Sequence, residues 1–144
     1  MAFGAPLTDG YLVGLTANDI IPQFKVVCLD TTTANKVVLT SNANAGPVAG
    51  VNEDTGVDTT FNGGVGVAVG VGQALRVAAR RYAKVQAKSG EVIAIHVKVY
   101  AAAADAGTVT ATAASNKFVG YAMEASLGGT ADIITVLVHT LGGV

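Results

Sequence analysis

Short runs of Val, Ile and Thr recur along this chain, each closed by a cluster of Gly, Asn, Asp or Ser. That rhythm is the signature of an all-β fold. It predicts strands at Tyr11–Thr16, Phe24–Leu29, Lys36–Thr40, Val48–Asn52, Val65–Val71, Ala74–Ala79, Val92–Tyr100, Thr108–Thr112, Phe118–Glu124 and Asp132–His139. Loops are predicted at Thr31–Asn35, Ser41–Gly46, Asp54–Gly64, Ala102–Gly107, Ala113–Asn116 and Leu127–Thr130.

The stretch Val65-Gly66-Val67-Ala68-Val69-Gly70-Val71-Gly72 has two readings. A dinucleotide-binding loop needs glycines at i, i+2 and i+5 between a strand and a helix. From Gly64 the third position is Val69, and from Gly70 it is Leu75. A phosphate loop needs a Gly-Lys pair, which the chain lacks. The period is two, with valines on one side and Gly66, Ala68, Gly70 and Gly72 on the other. This is the alternation of a strand. Its bare face would let another layer or another subunit approach closely.

Ala74–Lys88 is open between helix and strand. Leu75, Ala78, Ala79, Tyr82 and Val85 share one helical face, opposite Arg76, Arg80, Arg81, Lys84 and Lys88. The same residues also read as two strands bent at Arg80-Arg81. An internal repeat favours the strands. At an offset of 70, Val27, Ala34, Thr40, Ala43 and Gly50 match Val97, Ala104, Thr110, Ala113 and Gly120, with Asp54 on Glu124. Two related β units in one small domain imply a barrel or sandwich with pseudo-symmetry.

Composition narrows the function classes. Only 13% of the 144 residues are charged and the mean hydropathy is +0.50, yet no run of 18 apolar residues could span a membrane. The first ten residues have neither the basic nor the apolar region of a secretory signal. Cys28 is the single cysteine, which fits a reducing compartment. A net charge of −1 argues against a nucleic-acid partner. The charges are uneven, however. Residues 1–60 hold six acids against Lys25 and Lys36, and residues 61–144 hold seven bases against four acids. If these halves lie on different sides, the dipole favours head-to-tail contact between copies.

Candidates for chemistry are few. His96, His139 and Cys28 do not make a metal site, which needs three or four ligands at workable spacing. Cys28 reads as a core residue. Glu53-Asp54 precedes Thr-Gly and reads first as a solvated turn, with acid–base work the lesser alternative. No catalytic residue and no cofactor are expected. The cluster Arg76–Lys88 holds five of the nine basic residues and is either a solvated face or a polar contact surface. The apolar segment Met1–Gly10 is either a free end or an arm that orders on a neighbour.

The run Ile93-Ala94-Ile95-His96-Val97-Lys98-Val99-Tyr100 resembles a signature of tailed-phage capsid decoration (cement) proteins. In that signature isoleucine-alanine and valine-tyrosine flank a glycine-aspartate pair. Ala106-Gly107-Thr108-Val109-Thr110, Val119-Gly120-Tyr121-Ala122-Met123-Glu124-Ala125 and the closing strand Asp132–His139 are similar to the family's downstream segments, as Pro47–Val51 is upstream. The resemblance covers most of the chain from about Lys25. His96-Val97 replaces the usual Gly-Asp, so the tight turn is expected to move to Lys88-Ser89-Gly90.

The resemblance implies a small β-barrel or β-tulip domain, residues 11–144, with an extended N-terminal arm, residues 1–10. It implies a structural virion protein made in the host cytoplasm and carried on the outer surface of an expanded icosahedral capsid. The partners would be the major capsid protein and the chain itself as a homotrimer, with no nucleic acid and no membrane. Ala2, Phe3, Pro6 and Leu7 are the expected capsid contacts. Gly66, Ala68, Gly70, Gly72, Arg76, Arg80 and Arg81 are the expected intersubunit contacts. The alternative is another phage structural module, such as a tail or fibre component.

Overall fold

A computed structural model describes residues 7–55, 68–103, 105–114 and 116–140, with the side chains of Leu7 and Thr8 left aside. The fold is all-β, with no helix among these residues. The first eight strands are β1 (Leu7–Thr8), β2 (Tyr11–Ala17), β3 (Ile21–Pro22), β4 (Lys25–Asp30), β5 (Lys36–Leu39), β6 (Ala45–Asn52), β7 (Ala68–Val69) and β8 (Ala74–Ala78). The next seven are β9 (Tyr82–Gln86), β10 (Val92–Ile93), β11 (Lys98–Ala101), β12 (Val109–Thr110), β13 (Lys117–Ala122), β14 (Ser126–Leu127) and β15 (Ile133–Val138).

The first sheet runs β1-β2-β5-β4-β6-β8, and β8 pairs back onto β2, closing a five-stranded barrel with β1 as an appendage. The second sheet runs β12-β11-β13-β15-β9 and is closed by the parallel bridge between Ala87 and Val109. Each barrel carries a two-stranded ribbon, β3–β7 and β10–β14.

The two barrels are one pattern built twice. Val27 pairs with Gly50, and Val99 with Gly120. The register slips directly after both, between Val27 and Cys28 and between Val99 and Tyr100. Both barrels close through one parallel pairing, Ala17 with Val37 and Ala87 with Val109. Left-handed residues recur before the bulged strands, Phe24 at φ +66° and His96 at φ +68°. Their amides donate to Asn52 O at 2.7 Å and Ala122 O at 2.6 Å.

The cores match as well. Leu12, Leu15, Ala17, Ile21, Val27, Val37, Ala49, Val69, Leu75, Val77 and Ala79 form one buried cluster. The register places Ala83, Val85, Ala87, Ile93, Val99, Val109, Val119, Ser126, Ile134, Val136 and Val138 at the same points of the second barrel, all buried. Only Ser126 breaks the apolar run, and its hydroxyl donates to Glu91 O at 2.8 Å. Glycine is needed where strands come too close for a side chain. A Cβ at Gly50 would strike the Ala78 carbonyl, and one at Gly120 the Leu137 carbonyl.

These findings correct several expectations. The constant offset of 70 holds for Gly50 and Gly120 but not for Val27, whose equivalent is Val99, because the strand–loop lengths differ by two residues. Ala74–Lys88 is two strands around a bend, the alternative that the repeat favours, with Leu75, Val77, Ala83 and Val85 turned inward. Val92–Tyr100 is not one strand. It breaks at Ile95-His96, where Ile95 is 53% exposed despite the unbroken alternation of apolar residues. The tight turn therefore stays at His96, and Ser89-Gly90 is an additional one. Of Val65–Val71, the described part is strand only at Ala68–Val69. Within residues 1–10, Leu7–Thr8 is a strand paired with Leu12 and Tyr11.

The barrels pack on each other. Val26, Cys28, Val48, Val51 and Ala78 point away from the first core and join the second barrel's buried cluster. Val26 N donates to Gly107 O at 2.7 Å and Gln86 N to Phe24 O at 2.9 Å. Lys117 Nζ reaches Gly46 O at 2.5 Å, and Thr140 Oγ1 donates to Ala49 O at 2.6 Å. A Cβ at Gly107 would crowd the Lys25 side chain.

Candidate functional site: contact surfaces

Ala2, Phe3, Pro6 and Gly66 lie outside the described residues, and Leu7 is placed by its backbone pairing alone. Ala68 is half-buried and pairs with Pro22. Gly70 N donates to Gln73 Oε1 at 2.8 Å, closing a turn through Val71 and Gly72. No continuous bare face forms over residues 68–72.

The basic cluster does not act as one stripe. The Arg76 and Arg81 guanidinium groups lie 4.8 Å and 4.2 Å from the Tyr11 ring centroid. Both cations are attracted to the ring's π-face. Arg76 also pairs with Asp54 at 3.5 Å and Lys84 with Glu124 at 2.5 Å. Arg80 is exposed.

The acids are ties between strands. Asp54 accepts the Arg76 amide at 2.8 Å, and its equivalent Glu124 accepts the Thr135 amide at 3.0 Å. Asp19 accepts the Leu39 amide at 3.4 Å, and Glu91 the Ala111 amide at 2.6 Å. Gln73 and Asp132 hold Gly70 and Gly129 in the same way. Glu53 accepts the Tyr11 hydroxyl at 3.2 Å and the Lys84 amide at 3.0 Å, linking the barrels.

Hydrogen bonds to the charged form lower a carboxyl pKa. The Lys84 and Thr135 contacts lower that of Glu124. The Gly129 and Leu127 amides lower that of Asp132. The Thr32 hydroxyl and amide bring Asp30 to about 2.

Cys28 is buried, and desolvation raises its thiol pKa. It lines a pocket of about 40 Å³ with Thr40, Ala101, Ala103, Asn116 and Lys117. That volume holds a water rather than an organic ligand. Among the described residues no group of three or more His, Cys, Asp or Glu could hold a metal ion.

The outer face of the second barrel carries aromatic side chains where the first barrel's outer face carries small apolar ones. Lys98, Tyr121, Leu137 and Tyr82 lie side by side across β11, β13, β15 and β9. Tyr100 and Phe118 form the next row. The Phe118 ring meets Tyr100 and Tyr121 edge-on, with centroids 6.0 Å and 5.6 Å apart. Tyr82 is 58% exposed and Tyr121 37%. Three of the chain's four tyrosines therefore share one outward face. Sequence reasoning missed it, because Phe118 and Tyr121 are three residues apart and alternation alone sets them on opposite faces, whereas the register slip against β11 turns both outward. What was lacking was the register that brings them together.

No protein-family model matches the chain, and no curated protein does.

Proposed function

We propose that the chain is a capsid decoration protein. It binds the outer surface of an expanded icosahedral shell of a tailed phage and stabilises that shell, with the major capsid protein as partner and copies grouped as trimers. The observation that carries this reading is His96. It occupies the place where the family signature has glycine, and it adopts φ +68°, a conformation that glycine favours. The flanking residues have matching roles. Ile93 and Val99 are buried, and between them the chain leaves ribbon β10–β14 to enter β11.

The second motif has the same character. Gly120 admits the Leu137 carbonyl, Ala122 is buried, and Glu124 ties down the Thr135 amide. The resembling residues thus make the barrel rather than chemistry, as a scaffold protein requires. Each copy would add a modest contact, and many copies around a closed shell would oppose rupture. The N-terminal segment Ala2–Leu7 is the proposed shell contact.

Co-sedimentation with undecorated heads tests this. Purified chain should bind expanded heads saturably and ignore unexpanded precursors, and removal of residues 1–6 should abolish binding. Absence of binding to both head forms removes the decoration role and puts a tail or fibre component in its place.

A further inference from the structure

The joint between the two barrels leaves both of its surfaces open once more. Within the chain, the first barrel presents the row Val26, Val51, Ala78 and Tyr11, and the second barrel covers it. The equivalent row on the second barrel is Lys98, Tyr121, Leu137 and Tyr82, and among the described residues no second layer covers it. The other side of the joint behaves in the same way. The second barrel's loop Asp105–Gly107 is tucked against the first barrel, with Gly107 buried and its carbonyl bonded to Val26 N. The equivalent loop of the first barrel is Thr33–Asn35. It ends on a left-handed residue at the same point, Asn35 at φ +59° against Gly107 at φ +77°, yet all three of its residues are exposed.

We infer that a second copy of this chain occupies the aromatic face, with its first barrel's Thr33–Asn35 loop directed at Lys98 and Tyr121, so that the internal joint is repeated between molecules. Three observations support a copy of the chain rather than another partner. The chain already seats a barrel of this pattern on the equivalent face. The residues that replace Val26, Cys28, Val48 and Val51 are Lys98, Tyr100, Phe118 and Tyr121. Tyrosine and phenylalanine are enriched in contacts that are exposed before they form. The charges are complementary. Residues 1–79 hold six acids and three bases, a net −3, whereas residues 80–144 hold six bases and four acids, a net +2. Among the described residues Lys98 has no acidic partner of its own.

Such a contact joins unlike surfaces. It closes into a ring if the rotation between copies allows and otherwise continues as a filament. Two copies meeting aromatic face to aromatic face would oppose their Lys98 side chains.

The inference is independent of the capsid reading, and sedimentation equilibrium of the full chain tests it. The wild type should associate reversibly, more weakly as salt is raised. The face variant Tyr121→Lys/Leu137→Lys and the loop variant Thr33→Arg/Ala34→Arg should each lose at least tenfold in self-association while keeping the wild-type β circular dichroism. Mixed together, the two variants retain one intact pair of surfaces and should form a one-to-one dimer. A wild type that stays monomeric at millimolar concentration overturns the inference. So does a face variant that still self-associates, a mixture that stays monomeric, or association that strengthens with salt. Head binding is scored separately. A chain that self-associates but ignores heads loses the decoration role alone, and one that binds heads as a lone monomer keeps the decoration role but loses the repeated joint and the grouping into trimers.

Discussion

The first barrel turns Val26, Val51 and Ala78 outward, and the second turns Lys98, Tyr121 and Leu137 outward from the same lattice points. The inner positions differ far less. Leu15 faces Val85 in the comparison, Leu75 faces Ile134, and Ile21 faces Ile93. An inner position answers to the barrel alone, where an apolar side chain of roughly the right volume suffices. An outer position answers to whatever lies beyond it. In the first barrel that is protein, so small apolar residues serve. In the second no layer among the described residues of the same chain lies beyond it, so a lysine and tyrosines that suit both solvent and a contact formed later can stand there.

Exchanging outer residues breaks this comparison most directly. Val26→Lys places in the first barrel what Lys98 is in the second, but it buries a charge in the joint. It should destabilise by on the order of 4 kcal/mol, as an unpaired buried charge does. The mirror change Lys98→Val should stay within about 0.5 kcal/mol, since it alters an exposed site. Urea melts of both variants measure the asymmetry. Equal effects would mean that the two outer faces are not differently covered.

The close approaches should behave alike in both barrels. Gly50→Ala and Gly120→Ala each push a methyl group into a carbonyl oxygen of the neighbouring strand. Each should cost about 3 kcal/mol, at the upper end of overpacking effects. A melt that shows one tolerated and the other not would end the equivalence of β6–β8 with β13–β15.

His96→Gly is expected to act in the other direction. The left-handed conformation is strained for histidine and open to glycine, so the variant should gain about 0.5–1 kcal/mol after glycine's own entropic cost. A rise in melting temperature checks it. Phe24 holds the matching conformation, but its ring is half-buried, so Phe24→Gly loses contacts and should not stabilise.

How legible was this in the sequence? The all-β class was, because turn residues interrupt nearly every apolar run. The existence of a repeat was visible in Gly50 and Gly120, which the same steric demand fixes in both copies. The equivalence of Asp54 and Glu124 was visible too, as both cap the edge amide of the next strand. Its true spacing was hidden, since a core that accepts Leu, Val or Ala alike leaves few identities to align. The break at Ile95-His96 was hidden because alternation ran through it unbroken. The aromatic face was hidden because its residues are distant in sequence and meet only through register.

The smallest expected effect concerns the acids that both barrels use as ties. Asp30, Glu124 and Asp132 all titrate below their ordinary range in the folded chain. The folded pKa is depressed, so the stabilisation is complete above the unfolded values near 4. It is lost as pH falls through the folded values, about 2 for Asp30. Thermal melts between pH 6 and pH 2 should therefore fall on the acid side only, in the lower part of that window. The comparison sharpens with one variant from each barrel. Asp30→Asn leaves the Thr32 amide with a weaker acceptor and should flatten the limb near pH 2. Glu124→Gln leaves Lys84 and the Thr135 amide with a weaker, uncharged acceptor and should flatten the acid limb as well. All these groups lie at the surface, where water and salt weaken the interaction, so the change should be small and reduced at high salt. A limb that keeps its shape in both variants would mean that other carboxylates carry the acid sensitivity of the two barrels.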